Sequence, residues 1–181
     1  MKCIRNLVIL AIAALMMFTA GFAAEVEETV PLLPDQISIN GQVISYMDIP
    51  DEAISQYTVM AKKFGSAELN PDTEKELVIF YSPAGGRWPE DKIRLMVINS
   101  DQVNTYQDIT VGTPISVVEE TFSYEMKMDS ATVRYYVMFQ GEMEVDPKTA
   151  PREGLWLEYV CENGVITKIS LYDVYFGANM R

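Results

Sequence analysis

The sequence predicts an α+β fold of two tandem repeats, residues 37–102 and 103–181, each a short helix packed on antiparallel strands. Three observations carry that expectation. Apolar residues recur at helical spacing in two stretches, Ile54 to Phe64 and Ile115 to Phe122. Each stretch is followed by two strand-like apolar runs bounded by turn residues. The order of elements is the same in both halves, and part of it recurs at a constant offset.

In the first half, Ile37-Ser38-Ile39 and Gln42-Val43-Ile44 flank Asn40-Gly41, which accepts the positive φ angles of a type I′ turn, so they read as a hairpin. Asp48 is placed to cap a helix starting near Ile49-Pro50. That helix carries Ile54, Tyr57, Ala61 and Phe64 on one side and ends at Gly65. Leu77 to Tyr81 and Ile93 to Ile98 follow as strands, joined by the loop Ser82 to Pro89. A turn at Asp101-Gln102 then leads into Val103 through Val111.

In the second half, Thr113 is the expected cap of a helix with Pro114 in its first turn and Ile115, Val118 and Phe122 facing inward. Tyr135 to Phe139 answers Leu77 to Tyr81 at an offset of 58 residues, and Phe122-Ser123 answers Phe64-Gly65 at the same offset. Leu155 to Val160 answers Ile93 to Ile98 at an offset of 62, the extra residues falling in the intervening loop. Asn163-Gly164 leads to a final strand, Val165 to Tyr175.

An Asn-Gly hairpin, a helix closing on Phe64-Gly65, two strands, and then Asn104-Thr105, Ile109 and Val111-Gly112-Thr113-Pro114 opening a second helix form a familiar series. It resembles the tandem-repeat secreted and envelope proteins of the β-lactamase-inhibitor-protein-like type, over residues 37–176. Ser123 departs from the pattern, which has glycine there, and the first helix is longer by a turn or more. The resemblance implies two helix-on-sheet repeats and a non-catalytic binding or assembly role. Inhibition of a β-lactamase is not implied, because no inhibitor contact residue can be matched.

The first residues read as an export signal. Lys2 and Arg5 precede an apolar run from Leu7 to Phe18, and Gly21 and Ala23 supply the small side chains that a signal peptidase needs before Ala24. Residues 1–23 are therefore expected to be removed and residues 24–36, with three glutamates and two prolines, to form a flexible lead-in. The expected location is the periplasm, the cell envelope or the extracellular space, with no membrane insertion after cleavage. Cys3 leaves with the signal, so Cys161 is the one cysteine kept, and it can close no internal disulfide.

Removing residues 1–23 takes away Lys2 and Arg5 and no acid, leaving 12 cationic against 26 acidic side chains and a formal charge of −14. So acidic a chain repels phosphate backbones, which excludes nucleic acid as an expected partner. The chain has no histidine. That removes Ser-His-Asp and Cys-His nucleophiles and histidine metal sites. Met126 and Met128 without histidine or cysteine do not make a copper site. The alternating acids Asp72, Glu74 and Glu76 lack the glycine of a calcium loop. No cofactor, metal or catalytic residue is assigned.

Two features suit a partner. Arg87 and Trp88 follow Gly85-Gly86 in the first long loop, and Arg beside Trp is the pairing enriched at interface hot spots. Alternation also predicts that Ile93, Leu95, Val97, Leu155, Leu157 and Tyr159 face the helices. Arg94, Met96, Trp156 and Glu158 then face the other way, joined by Tyr136, Met138, Lys168 and Tyr172. The expected function is a non-catalytic secreted or envelope protein that binds a protein partner through this open sheet face and the Trp88 loop. A small-ligand or cell-wall glycan binder using the same aromatics, and a carboxylate-based hydrolase, are the alternatives.

Overall fold

The computed structural model describes residues 31–60, 75–82, 84, 90–129, 132–149 and 154–173. Two Asn-Gly pairs in the left-handed region set two of its two-residue hairpins. Asn40 (φ 51°) and Gly41 (φ 77°) turn β1 (Gln36–Ile39) into β2 (Gln42–Ser45). Asn163 (φ 53°) and Gly164 (φ 79°) turn β10 (Leu155–Glu162) into β11 (Val165–Asp173). This is the conformation a type I′ turn requires at both central residues.

The strands build two sheets. The small one has the order β2-β1-β6, with β6 spanning Val103–Asn104. The large one runs β3 (Thr58–Met60), β4 (Leu77–Ser82), β5 (Lys92–Ile98), β11, β10, β8 (Val133–Gln140) and β7 (Met126–Asp129). β9 (Met143–Val145) shares the outer edge of β8 with β7. Neighbours are antiparallel except β3 and β4.

One side of the large sheet carries the main core. Ile79, Met96, Ile98, Val137, Phe139, Leu157, Tyr159, Ile169 and Leu171 meet Ile37, Ile39 and Ile44 of the small sheet there. The helix α1 (Ile115–Thr121) adds Val118, and Phe122 closes it with rings 6.1 Å from Phe139 and 6.2 Å from Tyr159. Its entry is pinned to the β10–β11 turn. Gly112 N–H donates to the Ile166 carbonyl (2.8 Å), and Ile115 N–H to that of Gly164 (3.0 Å). Thr113 does not cap the helix; its hydroxyl accepts the Thr110 N–H instead (3.1 Å).

The two-repeat α+β expectation is corrected: the fold is mostly β-sheet, and α1 is the one helix of seven residues among the described residues. Where the first helix was expected, a single 3₁₀ turn at Ser55–Tyr57 leads straight into β3. Thr58 and Val59 are β-branched, and they pair with the open edge of β4 at Ile79 and Phe80, which outweighs a weak helical stripe. Ala61, Phe64 and Gly65 lie outside the described residues. Asp48 caps no helix; its carboxylate accepts the Ser45 N–H (3.1 Å) and closes the end of β2.

The return segments differ as well. Val165 to Asp173 crosses the large sheet, whereas Val103-Asn104 leaves it to pair with β1. It then enters a 3₁₀ turn at Tyr106–Asp108. The helix-on-sheet duplication implied by the resemblance is therefore not the fold of this chain. Part of the expected flexible lead-in is held in place: Gln36 opens β1, and the Tyr46 N–H donates to the Asp35 carbonyl (2.7 Å).

Phe122 fills the space between α1 and the sheet, so Phe122→Ala is expected to destabilise the chain by about 3–5 kcal/mol. Urea unfolding followed by circular dichroism measures it; a loss within experimental error would show that the aromatic cluster does not hold α1 to the sheet.

Candidate functional site

The side of the large sheet away from α1 carries the candidate site, and β5 decides its composition. A register shift opposite Phe80 and Tyr81 leaves Arg94 as an extra residue, a β-bulge. Beyond it the alternation inverts, so Leu95 and Val97 face away from α1 while Met96 and Ile98 face the core. Two expected site residues are corrected as a result. Met96 is 0% exposed inside the main core, and Arg94 is 3% exposed. Arg94 forms an ion pair with Asp173, and its Nη1 donates to the Met47 sulfur at 3.4 Å. Burial first, and then the charge of Asp173, holds the nearby Tyr46 phenol far above its usual range. This cluster ties β5, β11 and the segment after β2 together.

Four of the expected residues do share the second face. Met138 stands opposite Trp156, and Trp156 opposite Tyr172. Tyr136 stands opposite Glu158, its ring edge-on to Trp156 at 5.9 Å between centroids. Arg87 and Trp88 lie outside the described residues.

The face is not the open one expected. Met138 is fully buried, Tyr136 and Tyr172 are nearly so, and Trp156 is half-buried. At β4 and β5 the bulge adds Leu95 and Val97 to Val78 and Phe80, making this side as apolar there as the other. Exposure begins at the β7–β9 margin, where Met128 is 41% and Met143 is 63% exposed. Register places Met126 opposite Tyr136, Met128 opposite Arg134, and Val145 opposite Met138, all on this same side.

At the centre of the face Glu158 is buried with both carboxylate oxygens engaged. Arg134 forms an ion pair with Oε1, and the Tyr172 hydroxyl donates to Oε2 at 2.9 Å. Burial lowers the Arg134 pKa, but the charges and hydrogen bonds of Glu158 and then Tyr136 together raise it, and it ends above its ordinary value. The set is a satisfied network that can keep a cation at a fixed place on the surface. It holds no free base or nucleophile. Arg134 was not among the expected site residues; its signal was alternation with Tyr136 and Met138, visible only once β8 and β10 are paired.

Along β10 the next carboxylate on that side is Glu162, four residues on, or about 13 Å at strand rise. That exceeds the ~5–9.5 Å between the acids of a glycosidase. Among the described residues no group of three or more histidine, cysteine, aspartate or glutamate side chains gathers as a metal site, and no helix is long and apolar enough to cross a membrane. Cys161 is buried in the main core, its thiol pushed up to about 11, chiefly by burial and then by the charge of Glu119. Comparison with known proteins found no matching family, no matching curated protein and no matching solved structure.

Removing the partner of a buried carboxylate leaves its desolvation uncompensated. With Arg134 half-exposed, Arg134→Ala is expected to cost about 1–3 kcal/mol, and a further Glu158→Gln change to restore part of it in a double-mutant cycle. Additive losses would show that the pair is uncoupled. A thiol reagent at pH 8 is expected to leave Cys161 unlabelled in the folded chain and to label it on unfolding in guanidinium; rapid labelling of the folded chain would contradict its burial.

Proposed function

We propose that this chain is exported and acts as a non-catalytic binding protein, recognising a protein partner through the β7–β9 margin of the second sheet face. One juxtaposition supports the reading: Met126, Met128, Met143, Arg134 and Trp156 share one side of that margin, and the two outermost methionines stand in solvent. Methionine adapts its shape to a partner, and Trp and Arg are the side chains that most often anchor one. The amino-terminal pattern of Lys2, Arg5 and the apolar run supports export. Burial of Tyr136 and Tyr172 takes away two ring faces that a glycan binder would stack on, and the occupied oxygens of Glu158 speak against a hydrolase.

The test is capture of proteins from the envelope fraction of the source organism by residues 24–181, with Met128→Glu/Met143→Glu alongside. Both substitutions fall on exposed positions, so the fold should be unaffected. A protein retained by the wild type and bound at least about ten-fold more weakly by the variant, a loss of ~1.4 kcal/mol, is the expected outcome. The same proteins retained equally by both would sink this surface.

A further inference from the structure

A shallow cleft of about 360 Å³ opens beside β2, walled by Val43, Ile44, Asp48, Ile49, Asp51 and Lys92. Its two outer aliphatic side chains stand in water: Val43 is 53% and Ile49 48% exposed. Its charge is net negative. Asp48 and Asp51 present carboxylates, while the Lys92 ammonium is drawn to Glu90 at 3.5 Å. Asp35 and Glu142 add to the same negative field. The Asp35 carboxyl is pushed above its usual range by burial and then, against a backbone hydrogen bond that lowers it, by the charges of Asp48 and Glu142.

The cleft also lies against a sheet edge. In a two-residue hairpin the residues flanking the turn bond to each other, so Gln42 and Ile44 direct their backbone groups at β1. Val43 and Ser45 direct theirs outward. Asp48 occupies both outward groups of Ser45: its N–H donates to the Ser45 carbonyl (3.2 Å), and its carboxylate accepts the Ser45 N–H (3.1 Å). Among the described residues no strand pairs with the outer edge of β2 at Val43. One N–H and one carbonyl face out there, directly beside an apolar surface and two carboxylates.

We propose that this cleft docks a short extended segment of a protein partner carrying a lysine or arginine beside a branched apolar side chain. The segment exchanges two main-chain hydrogen bonds with Val43, as in strand addition. Its apolar side chain covers Val43 and Ile49, and its cation meets Asp48 and Asp51. The stop imposed by Asp48 limits the added strand to a few residues. This surface is separate in sequence and sheet from the β7–β9 margin, so either can fail without the other.

The test is an NMR titration of the ¹⁵N-labelled chain, purified as processed by a secreting host. The probe is a blocked hexapeptide, Lys-Val-Lys-Ile-Lys-Gly, with Glu-Val-Glu-Ile-Glu-Gly as control. The expected result is saturable shifts at the Val43 and Ile49 amides with the cationic peptide only, fading near 1 M salt, where the screening length is ~3 Å. Asp48→Asn/Asp51→Asn keeps an acceptor oxygen for the Ser45 and Ile54 N–H groups while removing the charge. Val43→Ser/Ile49→Ser removes the apolar contact. Each is expected to weaken binding at least about ten-fold. Shifts spread over the acidic surface away from the cleft, no saturation, or wild-type affinity in both variants would overturn the proposal.

Discussion

The pairing of β11 with both β10 and β5 is the constraint on which the rest of the molecule depends. β4 and β5 form one antiparallel pair and β8 and β10 another, and among the described residues β11 joins them into a single sheet. Its contacts with β5 run from Ile169 opposite Ile98 to Tyr172 opposite Leu95, bridging residues more than 70 positions apart in sequence. Such long loops cost little more to close than moderate ones, so apolar burial at the seam can hold them. Ile169 and Leu171 supply that burial on the core side. The turn before β11 also anchors the entry of α1, so helix, sheet and seam stand or fall together.

A sheet organised around such a strand has two faces to satisfy, and they are satisfied differently. The core side takes the small sheet, α1 and a cluster of aromatic rings. The second side is apolar at β4 and β5 and polar at its centre, where Glu158, Arg134 and Tyr172 complete one another's hydrogen bonds. A buried carboxylate so placed restricts register, because a shift of one residue would send Glu158 into the core. The same logic explains Arg94. The bulge turns it to the core side, where Asp173 at the end of β11 balances its charge.

The turns, the second helix and the main apolar runs were legible in the sequence because their causes are local. Asn40-Gly41 needs only its own backbone freedom, and Ile115, Val118 and Phe122 need only helical spacing. The first helix was misread because Ile54 to Phe64 satisfies a helical period while Thr58 and Val59 also suit a strand, and only the free edge of β4 decides between them. The site was half legible. Trp156, Tyr136, Met138 and Tyr172 fall together by simple alternation, while Arg94 and Met96 do not, because one extra residue in β5 inverts everything beyond it.

The sequence by itself determined the acidic charge, the lack of histidine and the places where the chain turns. Each depends on residue type or on neighbours a few positions apart. Only the tertiary structure decided which runs pair and where the bulge falls. It also decided that the return segment after β5 leaves the sheet while the one after β10 crosses it. Those choices depend on burying apolar faces of strands distant in sequence, and period-two alternation says which residues share a face without saying what that face meets.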